Sequence, residues 1–383
     1  MIYNRPLSEI KNKGFWSINE TEYDVKVNAI LAAQQQGLGY KDIKFHYNDQ
    51  WYNSKKWHIE PTESLRELYI KRAKQLREKY DTLILRFSGG ADSTNILRTF
   101  VDNNIKLDVV SINMWNLPGT DPWIEPSNIE KRDIAIPLAQ ELLSQGADFE
   151  LIITDFHKTY SLLGNDPDWI FRINAPRFAC VDICNHQAST TEEYEKWNNP
   201  GTCIITGVDK PFIRYNVKHN TWYSHIPDIL HSMIEKSSRM EQEPFYWCAD
   251  LPEILIKQCH ELKNFYMNNL DKMCVEDAEH KNLTYKRQVI PIIYPDYYNY
   301  MEPGPEPLPY YDMSVDAEAA RKHKNGPRGY GFDFGIEKSP YYNTWVSGIN
   351  LADQLIYRDF KNEDSIWSAG LKMCVTKRQW LGR

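Results

Sequence analysis

Long apolar runs are missing from this sequence of 383 residues. No stretch of about 18 consecutive apolar residues occurs, so a membrane-spanning helix is not expected. The first six residues are too polar for a secretory signal peptide. We therefore expect a cytoplasmic protein without a membrane partner.

Cysteine and net charge are both low. The seven cysteines are an odd number spread thinly along the chain, whereas disulfide scaffolds are short and dense in cysteine. Reduced thiols are therefore expected. The formal net charge of −7 argues against broad nonspecific attachment to nucleic-acid phosphates, although a local basic groove is compatible with it.

The composition is that of a folded protein, with 42% hydrophobic and 25% charged residues. At roughly 100–200 residues per domain, the length predicts two or three compact units. The patterns along the chain divide it into an N-terminal region at 1–80, a central domain at 81–225 and a mostly helical and irregular C-terminal region at 226–383.

The central domain alternates short apolar segments with helical ones. The spacing predicts strands over 83–87, 107–113, 149–154 and 203–206, and helices over 91–103 and 129–143, the second kinked at Pro137. This alternation implies right-handed crossovers and a mainly parallel sheet covered on both faces. The predicted fold class is therefore α/β, and such sheets bind ligands at the carboxyl ends of their strands.

The flanking regions give fewer signals. Apolar residues recur at helical spacing over 61–80, which predicts a helix beginning at Pro61. No other element of the N-terminal region is predicted. After about residue 227 the spacing is helical, clearest over 251–267, and no further parallel strand is predicted. The basic segment 372–383 is expected to be a solvated tail.

A glycine pair stands between the first predicted strand and the helix after it. The sequence there is Ser88-Gly89-Gly90-Ala91-Asp92-Ser93. Two glycines permit backbone angles closed to other residues and bring amide groups close to a ligand, while the helix directs its positive dipole end at the same place. An anion is expected there. Asp92 would repel a bare phosphate, which favours a bridging Mg²⁺.

This segment resembles the SGGxDS pyrophosphate-binding loop of the PP-loop ATP pyrophosphatases, also called adenine nucleotide alpha hydrolases. It differs from a Walker-type loop because no GxxxxGKS or GxxxxGKT pattern occurs here. The match covers six residues, and the surrounding order of strand, loop and helix extends it. The resemblance implies a Rossmann-like sheet of the HUP type. Taken whole, the chain also resembles uncharacterised PP-loop proteins of the kind that tailed phages carry.

The resemblance implies an ATP-dependent, AMP-forming ligase or transferase. Such enzymes adenylylate an acceptor oxygen and release pyrophosphate, before a nitrogen or sulfur nucleophile displaces AMP. ATP and Mg²⁺ would bind at residues 88–93, with Asp92 as a metal ligand and catalytic group. The phosphates would contact Ser88, Gly89, Gly90, Ala91 and Ser93.

Two further segments are candidates for the same site. The second predicted strand ends near Ile112 and Met114, where the family seats adenine, although ordinary core packing explains these residues equally well. The fourth predicted strand ends in Thr206 and Gly207, similar to a second loop that faces pyrophosphate in the family. Nearby, Asp209 would bind Mg²⁺ and Lys210 would stabilise the leaving pyrophosphate. A surface turn is the alternative for this second loop.

Four residues suggest a different metal. Cys180, Cys184 and His186, with Cys203 further on, are zinc-ligand types, but their spacing departs from that of structural zinc sites. Cysteines four residues apart also suit one buried helix face. Whether these residues bind a metal stays open here.

Two other functions are compatible with the sequence. One is a nucleotide-binding module without catalysis that acts through a partner. The other is a PP-loop enzyme that modifies tRNA or DNA bases, which would need a basic groove despite the acidic total. The acceptor, a small molecule or a nucleic acid, is not indicated by any motif, and a homo-oligomer is also compatible with the sequence.

Overall fold

The computed structural model describes residues 5–116, 119, 121–124, 128, 130–155, 158, 166–173, 192–207, 211–228, 239–268, 292–295, 340–361 and 371–383. Its strands are β1 (Gly14–Ile18), β2 (Thr21–Tyr23), β3 (Lys44–Tyr47), β4 (Thr82–Arg86), β5 (Val109–Met114), β6 (Glu150–Asp155), β7 (Thr202–Thr206), β8 (Phe212–Asn216), β9 (Thr221–His225), β10 (Glu241–Pro244) and β11 (Gln379–Gly382). Its helices are α1 (Lys26–Gln35), α2 (Asp49–Tyr52), α3 (Leu65–Lys79), α4 (Ala91–Asp102), α5 (Ile136–Ser144), α6 (Glu253–Met267) and α7 (Tyr342–Leu355).

The largest sheet has five strands, and every neighbouring pair in it is parallel. Its order is β10-β7-β4-β5-β6. When these five strands are numbered 1 to 5 along the chain, the order from the β6 edge to the β10 edge is 3-2-1-4-5. This parallel sheet with its connecting helices confirms the α/β prediction. The arrangement is compatible with a Rossmann-like fold. The four predicted strands are also confirmed, with ends within two residues of those expected.

The fifth strand, β10, corrects the prediction that no parallel strand follows residue 227. Its sequence, Glu-Gln-Glu-Pro, has no apolar period to reveal it. Glu243 is nevertheless buried, and its carboxylate accepts hydrogen bonds from Arg72 at 2.9 Å, Lys79 at 2.6 Å and Tyr80 at 2.8 Å. Burial opposes ionisation, but Arg72 and Lys79 outweigh it and lower the pKa of Glu243. Partners distant in sequence therefore place this polar strand.

The N-terminal region contains a small antiparallel sheet in the order β2-β1-β3, which the sequence analysis did not predict. The helix expected over 61–80 is confirmed as α3, but its start at Pro61 is wrong. The Ser64 hydroxyl accepts a hydrogen bond from the Glu67 amide at 3.3 Å, and the Glu67 carboxylate accepts one from the Ser64 amide at 2.8 Å. This capping box sets the true start of the helix.

The crossover helices differ in regularity. Helix α4 is one regular α-helix over nearly the whole predicted range of 91–103. The predicted helix over 129–143 is instead a π-helical turn at Lys131–Ala135 followed by α5, and Pro137 lies in the first turn of α5. Proline is tolerated there because a first-turn amide needs no helical partner. No described helix is both long and apolar enough to cross a bilayer.

A third sheet, in the order β11-β9-β8, is antiparallel. Strand β11 corrects the expectation that residues 372–383 form a solvated tail. Backbone bonds hold this segment in place, from the Thr376 amide to the Ile226 carbonyl and from the Asp228 amide to the Cys374 carbonyl, both at 2.9 Å. The end of the described chain is thus part of the fold.

His225, at the end of β9, makes stability depend on pH. Burial, with Arg214 and Arg378 nearby, lowers its pKa from 6.5 to about 4. The unfolded chain therefore takes up a proton at higher pH than the folded chain does. We expect His225 to cost about 3 kcal/mol of folding free energy as the pH falls from 6.5 to 4.

Urea unfolding of the variant His225→Gln across this pH range checks the effect. The variant should lose less stability on acidification than the wild type, whereas His219→Gln, on the exposed turn of the same hairpin, should follow the wild type. Parallel pH profiles for the wild type and His225→Gln would contradict the assignment.

Candidate functional site

Residues 88–93 lie directly after the carboxyl end of β4, the central strand of the parallel sheet. Strands β5 and β6 extend the sheet to one side of β4, and β7 and β10 extend it to the other. The chain therefore adds strands on one side of β4 first and then on the other side, which makes the junction of β4 and β7 a topological switch point. Crevices at such switch points are where open α/β sheets bind ligands.

Gly89 is required at its position for two reasons. Its φ of +85° lies in the left-handed region, which side chains disfavour. A Cβ atom there would also lie 3.0 Å from the Ala135 amide nitrogen and 3.1 Å from the Glu130 carbonyl oxygen. Because both neighbours are backbone atoms, they cannot move aside cheaply. The π-helical turn thus packs against the loop and fixes its shape.

The two serine hydroxyls hold the loop together. The Ser93 hydroxyl accepts a hydrogen bond from the Ser88 amide and donates one to the Gly90 carbonyl, both at 3.2 Å. The Ser88 hydroxyl accepts one from the Gly90 amide at 3.3 Å. Ser93 is buried, whereas Ser88 is exposed. Ser88 can therefore reach a ligand directly, and Ser93 preserves the shape of the loop.

Helix α4 begins at the loop without a side-chain cap. Gly90 is the N-cap and, as a glycine, offers no side-chain oxygen to the amides of the first turn. The positive end of the helix dipole therefore adjoins residues 88–93. Ala91 is buried at this end, beside the half-buried Asp92.

The structure brings Gly207 against the loop, as expected for the second predicted segment. A Cβ atom on Gly207 would lie 2.8 Å from Cδ1 of Ile96 and 3.3 Å from both the Asp92 carbonyl carbon and the Ser93 amide nitrogen. A side chain here would displace the end of Ile96 and press on the backbone of α4, so glycine favours this close approach of the chain after β7 to α4. Thr206, just before it, is buried. Asp209 and Lys210 lie outside the described residues.

Two tyrosines that were not predicted as site residues lie beside Asp92 on its interior side. The Tyr246 hydroxyl donates a hydrogen bond to the Asp92 carbonyl oxygen at 2.7 Å. Tyr294 packs on Tyr246, with ring centroids 5.1 Å apart. Burial raises the pKa of Tyr294, and the nearby Asp92 carboxylate raises it further. Neither tyrosine lies near the loop in sequence, so no local pattern could have identified them.

Glu130 is a second missed residue at the loop. One of its carboxylate oxygens lies 3.1 Å from the position that a Cβ atom would take on Gly90. Glu130 is half-buried and immediately precedes the π-helical turn. Its negative charge therefore adjoins the amides and the helix end that attract anions. No sequence signal links it to the glycine pair.

Ile112 and Met114, predicted to line an adenine pocket, are both buried in the hydrophobic core. Ile112 pairs with Ile153 across β5 and β6. Between them, Asn113 is half-buried and accepts a hydrogen bond from the Thr154 hydroxyl at 2.5 Å. Core packing accounts for both apolar side chains, and their contact with adenine stays a prediction.

The zinc interpretation gains no support from Cys203. This thiol is buried within β7, where burial and the charge of Glu243 raise its pKa and keep it protonated. Cys180, Cys184 and His186 lie outside the described residues. Among the residues with a described structure, no three His, Cys, Asp or Glu side chains are grouped to hold a metal ion.

Two comparisons with known proteins found no match to this chain. No protein-family model matches the chain, and a search of curated proteins found none that matches it. The function must therefore be argued from the loop, its neighbours and the topology of the sheet.

Proposed function

We propose that the protein is an ATP-dependent, AMP-forming enzyme of the PP-loop type, built on a HUP-like sheet. One observation carries the proposal: two glycine-containing segments, at residues 88–93 and at Gly207, meet at the switch point of the parallel sheet. The tight approach leaves backbone amides and an uncapped helix end together. That combination suits the phosphates of a nucleotide.

The loop residues act by holding phosphate. The Gly89 amide, the amides at the start of α4 and the hydroxyl of Ser88 bind the β and γ phosphates, while the dipole of α4 stabilises their charge. Mg²⁺ usually takes one or two protein carboxylates together with substrate phosphates, and Asp92 and Asp209 would supply them. The ion would neutralise phosphate charge. Lys210 would stabilise the leaving pyrophosphate.

The proposed reaction has two steps. An acceptor oxygen attacks the α phosphorus of ATP, the bond to the bridging α–β oxygen breaks, and pyrophosphate leaves with that bond's electron pair. A nitrogen or sulfur nucleophile then attacks the activated carbon and releases AMP. Each step is promoted by holding the reacting atoms in line and by stabilising the departing charge.

Glu130 gives a test of the electrostatics in this site. Without a divalent cation its carboxylate repels phosphate, so Glu130→Gln should bind ATP roughly fivefold more tightly in EDTA. Titration calorimetry measures the difference. Glu141→Gln, an exposed charge on α5, is the matched control and should bind as the wild type does. Equal affinities for Glu130→Gln and the wild type would remove Glu130 from the site.

The test of the function is the identity of the products formed from ATP. The full chain is incubated with Mg²⁺, ATP and a library of candidate acceptors, and ³¹P NMR distinguishes AMP and pyrophosphate from ADP and phosphate. Asp92→Ala should lower AMP formation by roughly 100-fold or more. Asp102→Ala, at the other end of α4, should leave the rate unchanged.

Three outcomes would decide against the proposal. ADP in place of AMP would contradict cleavage between the α and β phosphates. Equal rates for Asp92→Ala and the wild type would contradict the assignment of the active site to residues 88–93. Tight ATP binding with no cleavage in the presence of any acceptor would favour the nucleotide-binding module.

A further inference from the structure

A basic cavity lies on the antiparallel sheet of β8, β9 and β11 and shares no lining residue with the candidate functional site. Its volume is about 370 Å³. None of the described residues that line it is acidic. The residues that matter for its chemistry are Tyr40, Arg214, Tyr223, His225, Lys372 and Arg378.

Strand alternation explains why these side chains meet. Tyr223 and His225 are two residues apart on β9 and share one face, and Arg214 pairs with Tyr223 from β8. Trp222 and Ser224, on either side of Tyr223, point to the other face, where Trp222 stacks on Tyr266 of α6. Helix α6 therefore covers one face of the sheet, and the other face forms the cavity.

The last part of the chain completes the cavity. The backbone bonds that pair Thr376 with Ile226 and Asp228 with Cys374 place Lys372 and Arg378 on either side of this anchored stretch. The Lys372 carbonyl oxygen also accepts a hydrogen bond from the Lys26 ammonium at 2.6 Å. Both basic side chains thus extend from an ordered backbone.

The cations lie beside aromatic rings. The Arg378 guanidinium carbon is 4.6 Å from the Tyr223 ring centroid, and Lys372 Nζ is 5.4 Å from that of Tyr40. His225 is only 3% exposed, and its Nε2 atom has no hydrogen-bond partner within the described chain. Buried polar atoms are normally paired, so an unpaired one marks a place where a ligand atom can bind.

We propose that this cavity binds a small phosphorylated molecule. A phosphate dianion can accept charge-assisted hydrogen bonds from several cations at once, which suits a cavity lined by Lys372 and Arg378. The tyrosine rings give flat walls for the organic part of the ligand, and the volume lies within the range of small-molecule sites. The net charge of −7 disfavours a polynucleotide. This binding does not depend on whether residues 88–93 bind ATP.

The experiment is titration calorimetry of the full chain with inorganic phosphate, ribose 5-phosphate and a 5′-phosphorylated oligothymidylate, at two fixed ionic strengths. Ribose 5-phosphate should bind at one site. Arg378→Gln and Lys372→Gln should each weaken it roughly tenfold, because each removes a charge-assisted hydrogen bond. Lys218→Gln, an exposed cation on the β8–β9 turn, and Ser88→Ala, in the loop, should both bind as the wild type does.

Melting temperatures confirm that each variant is folded before its affinity is interpreted. Failure of all three probes to bind would overturn the proposal, as would equal affinities in the two cavity variants and the wild type. Loss of binding in Ser88→Ala alone would place the phosphate at residues 88–93 instead. Much tighter, steeply salt-dependent binding of the oligothymidylate would replace the small ligand with a nucleic acid.

Discussion

Gly89→Ala is expected to weaken ATP binding by at least roughly 100-fold. Alanine at this position would have to adopt a left-handed backbone angle that it disfavours. Its methyl group would also press on the backbone of Ala135 and Glu130 at about 3 Å. The loop must therefore shift, and its amides lose their alignment with the phosphates. We also expect a loss of about 1–3 kcal/mol of stability from strain and overpacking. Titration calorimetry with Mg²⁺ and ATP measures the affinity.

Gly37→Ala is the matched control for this variant. Gly37 also has a positive φ, of +68°, but nothing lies within 4 Å of the position that its Cβ atom would take. It should therefore show a cost in stability from the backbone angle without any change in ATP affinity. If Gly89→Ala bound ATP as tightly as Gly37→Ala does, the loop would not be the phosphate site.

Lys26→Met is expected to lower the free energy of unfolding by about 3–5 kcal/mol. Lys26 is 2% exposed and Asp228 is fully buried, and their charged atoms are 2.6 Å apart. Trp16 Nε1 also donates a hydrogen bond to the same carboxylate oxygen, at 3.1 Å. Removing the ammonium leaves a buried carboxylate without its counterion, which costs more than the pair contributes. Urea unfolding at neutral pH measures the difference.

Two comparisons separate this effect from a general loss of packing. The double variant Lys26→Met/Asp228→Asn should regain much of the lost stability, because no charge then stays buried and the amide still accepts from Trp16. Lys11→Met removes the partly exposed ion pair with Asp250 and should cost no more than about 1 kcal/mol. A loss from Lys26→Met as small as that from Lys11→Met would contradict the buried-pair assignment.

Local patterns were sufficient to predict the parts of the fold that local physics determines. The apolar strand before Ser88 and the glycine pair after it identified β4, the loop and the start of α4. The five-stranded sheet followed from the alternation of strands and helices, except for β10. That strand is polar, and Glu243 is held in the interior by Arg72, more than 100 residues away. A contact between residues so far apart in sequence cannot be predicted from a local pattern.

The same limit applies to the candidate functional site and to the basic cavity. Gly207 was a candidate through its resemblance to a second loop of the family, whereas Glu130 and Tyr294 reach the loop only through the tertiary fold. The basic residues near the end of the chain were visible but were expected to be solvated. Their position at the cavity depends on backbone bonds to Ile226 and Asp228, just after β9, which composition does not reveal.

Amide hydrogen exchange of the full chain, with and without saturating Mg²⁺ and ATP, tests the proposed phosphate site most directly. If the phosphates bind at the end of β4, exchange should slow by at least roughly tenfold at residues 88–95 and at Gly207. Asp92→Ala should reduce that protection. Unchanged exchange at these residues under saturating ATP, or protection confined to another part of the chain, would contradict the assignment.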